Sequence, residues 1–330
     1  MKKLLERLRV EMSNARIRVP SSRGLEWRRD GNVVHLEMGA RLFEKNLQCD
    51  EGSSPAYLIC LAYWWEHFTG DRLRCQLHVR GAPSDTANTR RALFALAAYR
   101  AALGDRFLSD EPDRFAWPRR SMFNAPSGAR DSSALTGGGV EAEIERAFVR
   151  EPHLTNQLSE LVEPVDGFQR QFPVGIFDGR VARANELLPG RNAQIDLWAR
   201  SSDDQAVHLF ELKKPGNRPL GIFPQALVYA LLLHRARVGL DDGRTIGGSW
   251  AGLDAVRSAK RLSMWLLAPS LHPLLLHDGR SPFEWFQRWP GLRFGHVEYR
   301  MTPSDISLTG ASAFRSPGAS VSAQEPSAPP

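Results

Sequence analysis

Glu211 and Lys213 stand two residues apart at the end of a hydrophobic run, AVHLFELKK (206–214), and Asp196 interrupts another, AQIDLWA (193–199). In an extended strand alternate residues share a face, so Val207, Leu209, Glu211 and Lys213 point one way while His208, Phe210 and Leu212 point the other. A carboxylate at the rim of a core is costly unless it is paired or metal-bound. If the two runs form a hairpin across the polar RSSDDQ, Asp196 lies beside Glu211 on one face. Two carboxylates so placed repel unless a cation separates them. Hard oxygen ligands with room for water suit Mg2+ or Mn2+. The plainer alternative is a Glu211–Lys213 ion pair at a strand end, which contributes little.

The elements that must position these residues follow from periodicity. VEAEIERAFVRE (140–151) reads as a helix and DGFQRQFPVGIF (166–177) as a strand; the two runs above follow. Then come an apolar helix, FPQALVYALLLHRARV (223–238), with Pro224 suited to its first turn, and the strands LSMWLLA (262–268) and LRFGHVEYR (292–300). Helix, three strands, helix, strands implies an α/β sheet with helices packed against it. Upstream, NVVHLEM (32–38) and LRCQLHV (73–79) read as strands, and residues 55–70 and 86–103 as helices. The helix over 86–103 carries Arg90 and Arg91, read as a solvated face. The expected organisation is an N-terminal α+β accessory domain over 1–115, a Pro/Gly/Ser-rich linker over 116–139, the α/β domain over 140–301 and a disordered tail over 302–330.

Composition narrows the classes. The net charge of +6 favours phosphate-bearing partners only weakly. No apolar run reaches the length of a membrane span, and MKKLLERLRV is too interrupted by charge for a signal peptide, so a cytoplasmic, membrane-free protein is expected. Cys49, Cys60 and Cys75 lack the spacing of a disulfide framework or zinc site. Phosphate-loop, dinucleotide and nucleophile-elbow fingerprints are absent, and the nine histidines show no metal-ligand spacing.

Asp196, followed after a strand-length gap by Glu211-Leu212-Lys213, resembles the signature of the PD-(D/E)XK nuclease superfamily, without the customary proline before the aspartate. The resemblance covers residues 140–300 and implies a restriction-endonuclease-like core, a mixed central sheet flanked by helices. It implies a metal held by Asp196, Glu211 and the Leu212 carbonyl, with Lys213 positioning or deprotonating a water. A glutamate on the first core helix often completes that shell in the superfamily. Glu141 borders the buried stripe three residues before Ile144; Glu145 shares its face and Glu143 does not. Acidic residues also favour any helix N-terminus. Gln225 and Tyr229, four apart on the next helix, are similar to the Gln-x-x-x-Tyr motif of an exonuclease-like branch, whose side chains orient nucleic acid. Arg191, Lys214 and Arg218 flank the site as candidate phosphate contacts, or as plain solvated basic residues.

The resemblance thus implies a Mg2+- or Mn2+-dependent phosphodiesterase acting on nucleic acid, DNA before RNA. The N-terminal domain is left free to bind a protein partner, and an oligomer is compatible with the sequence. The rivals are a nucleic-acid-binding module with a degenerate nuclease fold and a structural or interaction protein.

Overall fold

A computed structural model describes residues 1–110, 121–124, 139–188, 193–239, 246–287, 289–302 and 305–314. The N-terminal unit runs α1 (Lys2–Glu11), β1 (Leu25–Asp30), β2 (Val33–Gly39), α2 (Ser54–Thr69), β3 (Arg74–Arg80), α3 (Ala87–Leu103) and β4 (Phe107–Ser109). Its sheet has the order β1-β2-β3-β4, antiparallel at the first pair and parallel thereafter. Local chemistry sets the helix limits. Thr86 caps α3 by accepting from the Thr89 amide, and Gly70 ends α2 in the left-handed region at φ 74°.

The rest of the chain runs β5 (Ser121–Phe123), α4 (Val140–Arg150), α5 (Pro152–Leu161), β6 (Val165–Pro173), β7 (Ile176–Asp178), β8 (Glu186–Leu188), β9 (Gln194–Ser201) and β10 (Ala206–Leu212). It continues through α6 (Ile222–Val238), β11 (Ile246–Gly247), α7 (Ala251–Ser258), β12 (Arg261–Leu267), β13 (Leu292–Met301) and β14 (Ile306–Ala313). The central sheet has the order β14-β13-β12-β10-β9-β6. β6, β9 and β10 form an antiparallel meander, β10, β12 and β13 are parallel, and β14 returns antiparallel. A small sheet, β11-β5-β7-β8, lies apart from it. The architecture is α/β with mixed sheets, as the element order predicts.

Every residue of β10 is buried, because the sheet is covered on both faces. On one face Phe210 and Leu212 join Ile144 and Phe148 of α4 and Leu154 and Leu158 of α5. On the other, Val207 and Leu209 share a continuous core with α6 and with Val34, Leu61 and Leu96 of the N-terminal unit. Each such side chain contributes about 1.5–3 kcal/mol, and the N-terminal unit packs directly on the face that carries Glu211.

Two boundary readings are corrected. The tail over 302–330 was expected to be disordered, yet 306–313 is β14. It pairs along β13, Leu308 is buried, and Phe314 stacks on Phe283 with ring centroids 5.6 Å apart. The open edge of β13 supplies the partner that a composition poor in large apolar residues conceals; residues 315–330 lie outside the described ones. Within the expected linker 116–139, Ser121–Phe123 is β5, held between β7 and β11 with Phe123 buried. Residues 116–120 and 125–138 lie outside the described ones.

Candidate functional site

The β9–β10 ladder runs as far as Phe210 opposite Leu197, one position short of Glu211 and Asp196. Continuing that register sets the two acidic residues across from each other on the face shared by Leu209 and Trp198. The Asp196 side chain takes over where the ladder stops, its Oδ2 accepting from the Leu212 amide at 2.7 Å. The strand end is pinned from the other side by β12 and β13. The Lys213 amide donates to the Leu267 carbonyl at 2.9 Å, and the Tyr299 hydroxyl to the Lys213 carbonyl at 2.9 Å.

Glu211 is 2% exposed and Lys213 6%. The Lys213 ammonium donates to Glu211 Oε1 at 2.9 Å and to the Leu212 carbonyl at 2.8 Å. Glu211 Oε2 is buried and, among the described residues, has no hydrogen-bond partner. Burial and then the charge of Glu211 push the Asp196 carboxyl well above its ordinary range. Burial raises Glu211 as well, with Lys213 opposing. For Lys213 burial favours the neutral amine, but Glu211 and Asp196 together outweigh it and hold the ammonium charged.

These groups open into a cleft of about 640 Å³ that Glu141, Asp196, Glu211, Lys213, Gln225 and Tyr229 all line. Glu141, half-buried at the start of α4, has Oε1 3.3 Å from the Lys214 amide. Glu145 is turned inward, its Oε2 held by Arg170 at 2.7 and 3.0 Å, so Glu141 is the α4 glutamate on the cleft. Gln225 and Tyr229 are both 4% exposed, with the amide nitrogen and hydroxyl 3.5 Å apart.

The flanking cations divide. Lys214 is exposed, and Arg218 lies in a separate cavity of about 650 Å³ with Arg9, Arg16 and Arg18, so it does not line the cleft. Arg191 lies outside the described residues. Arg91, read as part of a solvated helical face, is 6% exposed and lines the cleft. Its signal was in the sequence: it stands four residues before Ala95 and eight before Tyr99, in phase with the apolar stripe of α3. Arg90 is the outward one, paired with Asp85 at 2.7 Å. The cleft also takes Asn46 and Gln48 from the N-terminal unit, and Gln48 Nε2 donates to Gln225 Oε1 at 2.5 Å. No local pattern marks Asn46 or Gln48.

The donors suit a hard divalent cation. Glu211 Oε2 is an orphaned buried anion, Asp196 and Glu141 border the same space, and the Leu212 carbonyl keeps a second lone pair beyond its bond to Lys213. Among the described residues no three of His, Cys, Asp and Glu form a ready-made metal cluster, so Glu141 shares the cleft without closing a cage. Compared with protein-family models, curated proteins and solved structures, the chain finds no match. Among the described residues no helix is long and apolar enough to cross a membrane.

Proposed function

We propose that the chain is a metal-dependent nuclease that hydrolyses phosphodiester bonds, in DNA before RNA. The observation that carries this reading is the convergence of Asp196, Glu211 and Lys213 on one cleft, with Glu211 Oε2 buried and unpartnered. The helix, antiparallel meander, helix and parallel strand that build the site agree with a restriction-endonuclease-like core. Asp196 and Glu211, with Glu141 and the Leu212 carbonyl nearby, would hold Mg2+ or Mn2+. A divalent ion so bound polarises a phosphate and acidifies a water. Lys213, beside both carboxylates, would position or deprotonate the water and offset charge on the phosphate. Gln225 and Tyr229 offer an amide and a hydroxyl to the nucleic acid from the facing wall.

A second reading, a nucleic-acid-binding module that does not cleave, draws on one contact: Lys213 already occupies both Glu211 Oε1 and the Leu212 carbonyl. One assay separates the two. Linear, circular and single-stranded DNA, and RNA, are incubated with the purified chain in Mg2+, Mn2+, Ca2+ or EDTA, beside Asp196→Asn as a control for contaminating nuclease. Cleavage in Mg2+ or Mn2+ that Asp196→Asn abolishes supports the enzyme. Binding without cleavage in every metal supports the module. Neither binding nor cleavage leaves the Glu211–Lys213 ion pair as a structural contact.

A further inference from the structure

We propose that Arg91, supplied by the N-terminal unit, binds a phosphate of the substrate inside the cleft. This rests on the nuclease reading and deepens it, because it gives the N-terminal unit a part in the site. Arg91 is 6% exposed, yet among the described residues it forms no ion pair with a carboxylate. One terminal nitrogen lies 3.3 Å from the Tyr229 hydroxyl, and the guanidinium carbon sits 5.2 Å from the centre of that ring. Its Nε is buried and, among the described residues, has no hydrogen-bond partner. A guanidinium whose Nε–H is buried without a partner while the group lines an open cleft is poorly compensated, and an anion in the cleft would improve it. The planar fork matches two oxygens of a phosphate.

The contrast with Lys213 is the decisive one. Both cations face the same cleft and both are buried, but Lys213 is hydrogen-bonded to Glu211, whereas Arg91 acts on that carboxylate only through space and, among the described residues, touches no carboxylate directly. The carboxylates and the unpaired guanidinium therefore stand as acceptors for a cation and a donor for an anion within one cavity, as a metal–phosphate pair requires. The position of Arg91 is set across the interface between the two units. Gln48 bonds Gln225, and a Cβ at Gly221 would meet the Leu47 carbonyl at 2.3 Å, so the N-terminal unit lies hard against the start of α6.

The test uses the full chain carrying Asp196→Asn, so that substrate survives, with labelled single- and double-stranded DNA 20-mers in anisotropy titrations across salt. Adding Arg91→Met, which keeps the apolar stem over Tyr229, is expected to weaken binding about ten-fold or more and to reduce the salt slope by about 0.7–0.9 for one lost phosphate contact. Arg91→Lys is expected to recover part of the affinity. Millimolar inorganic phosphate is expected to raise the melting temperature of Asp196→Asn and not that of Asp196→Asn/Arg91→Met. Equal affinity and equal salt slope with and without Arg91→Met overturn the inference while leaving cleavage by the parent, and hence the nuclease reading, intact. Phosphate stabilisation that needs Arg91, in a parent that neither binds nor cleaves nucleic acid, keeps the anion site and removes the nuclease. Should Arg91→Met fail to fold, Arg91→Lys decides: an unchanged melt with weakened binding supports the contact, and unchanged binding counts against it.

Discussion

Replacing Lys213 by methionine removes the only hydrogen-bond partner that the Glu211 carboxylate has among the described residues. Its ammonium lies 2.9 Å from Glu211 Oε1, and both side chains are almost wholly buried. Breaking a buried pair from one side costs about 3–5 kcal/mol, because the remaining charge keeps its desolvation penalty and loses its compensation. Glu211, already raised by burial, shifts further once Lys213 is gone, and this sets the pH dependence. A carboxyl whose folded pKa exceeds its unfolded value binds more protons when folded. The stability it allows is complete below the unfolded pKa of about 4.5 and is lost as pH rises through the folded value. In urea denaturation with EDTA, Lys213→Met is therefore expected to lose about 3–5 kcal/mol at pH 7.5 and much less near pH 5. Mg2+ or Mn2+ replaces the missing charge, so saturation at a hundred times the dissociation constant returns about 2.7 kcal/mol. The double variant Glu211→Gln/Lys213→Met is expected to regain most of the loss, since the bare Glu211 carboxylate and its repulsion of Asp196 are both gone. A Lys213→Met chain as stable as the parent in EDTA, or indifferent to divalent ions and to pH, would refute this account of the site.

Three further outcomes are expected. Asp196→Asn keeps an oxygen for the Leu212 amide, removes repulsion with Glu211, and so holds or raises stability in EDTA while calorimetric affinity for Mn2+ falls and cleavage stops. Gly221→Ala drives a methyl into the Leu47 carbonyl at 2.3 Å and Gln48 Cα at 2.5 Å, and is expected to cost about 2–3 kcal/mol in urea denaturation as the backbone shifts; an unchanged midpoint would show that the N-terminal unit is not pressed against α6. His234 on α6 is held neutral, its pKa lowered to about 4 by burial and then by Arg237 and Arg235. Because the unfolded chain takes up that proton first, stability present above pH 6.5 is lost as pH falls toward 4, by up to about 3 kcal/mol from this one group. His234→Gln is expected to flatten the melting curve against pH over that window, and a slope unchanged from the parent would exclude the effect.

What could be read without coordinates was local. The alternation of AVHLFELKK, the hairpin into QIDLW and the apolar length of α6 determined β9, β10 and α6, and they set Asp196, Glu211 and Lys213 at one strand end because a pleated strand alternates faces with a period of two. The same periodicity located Glu141 and Glu145 on one helix face. It could not choose between them, because the choice depends on Arg170, a partner contributed by β6 across the packed layers. The burial of Arg91, the displacement of Arg218 into its own cavity, and the contact of Gln48 with Gln225 were likewise decided by packing between segments distant along the chain. β14 was hidden for a related reason. A strand poor in large apolar residues is stabilised by the edge that receives it, and that edge is supplied by β13 of the central sheet. The sequence thus brought Asp196, Glu211 and Lys213 to one strand end as candidates, while the tertiary structure decided which charges are compensated and which are left facing the cleft.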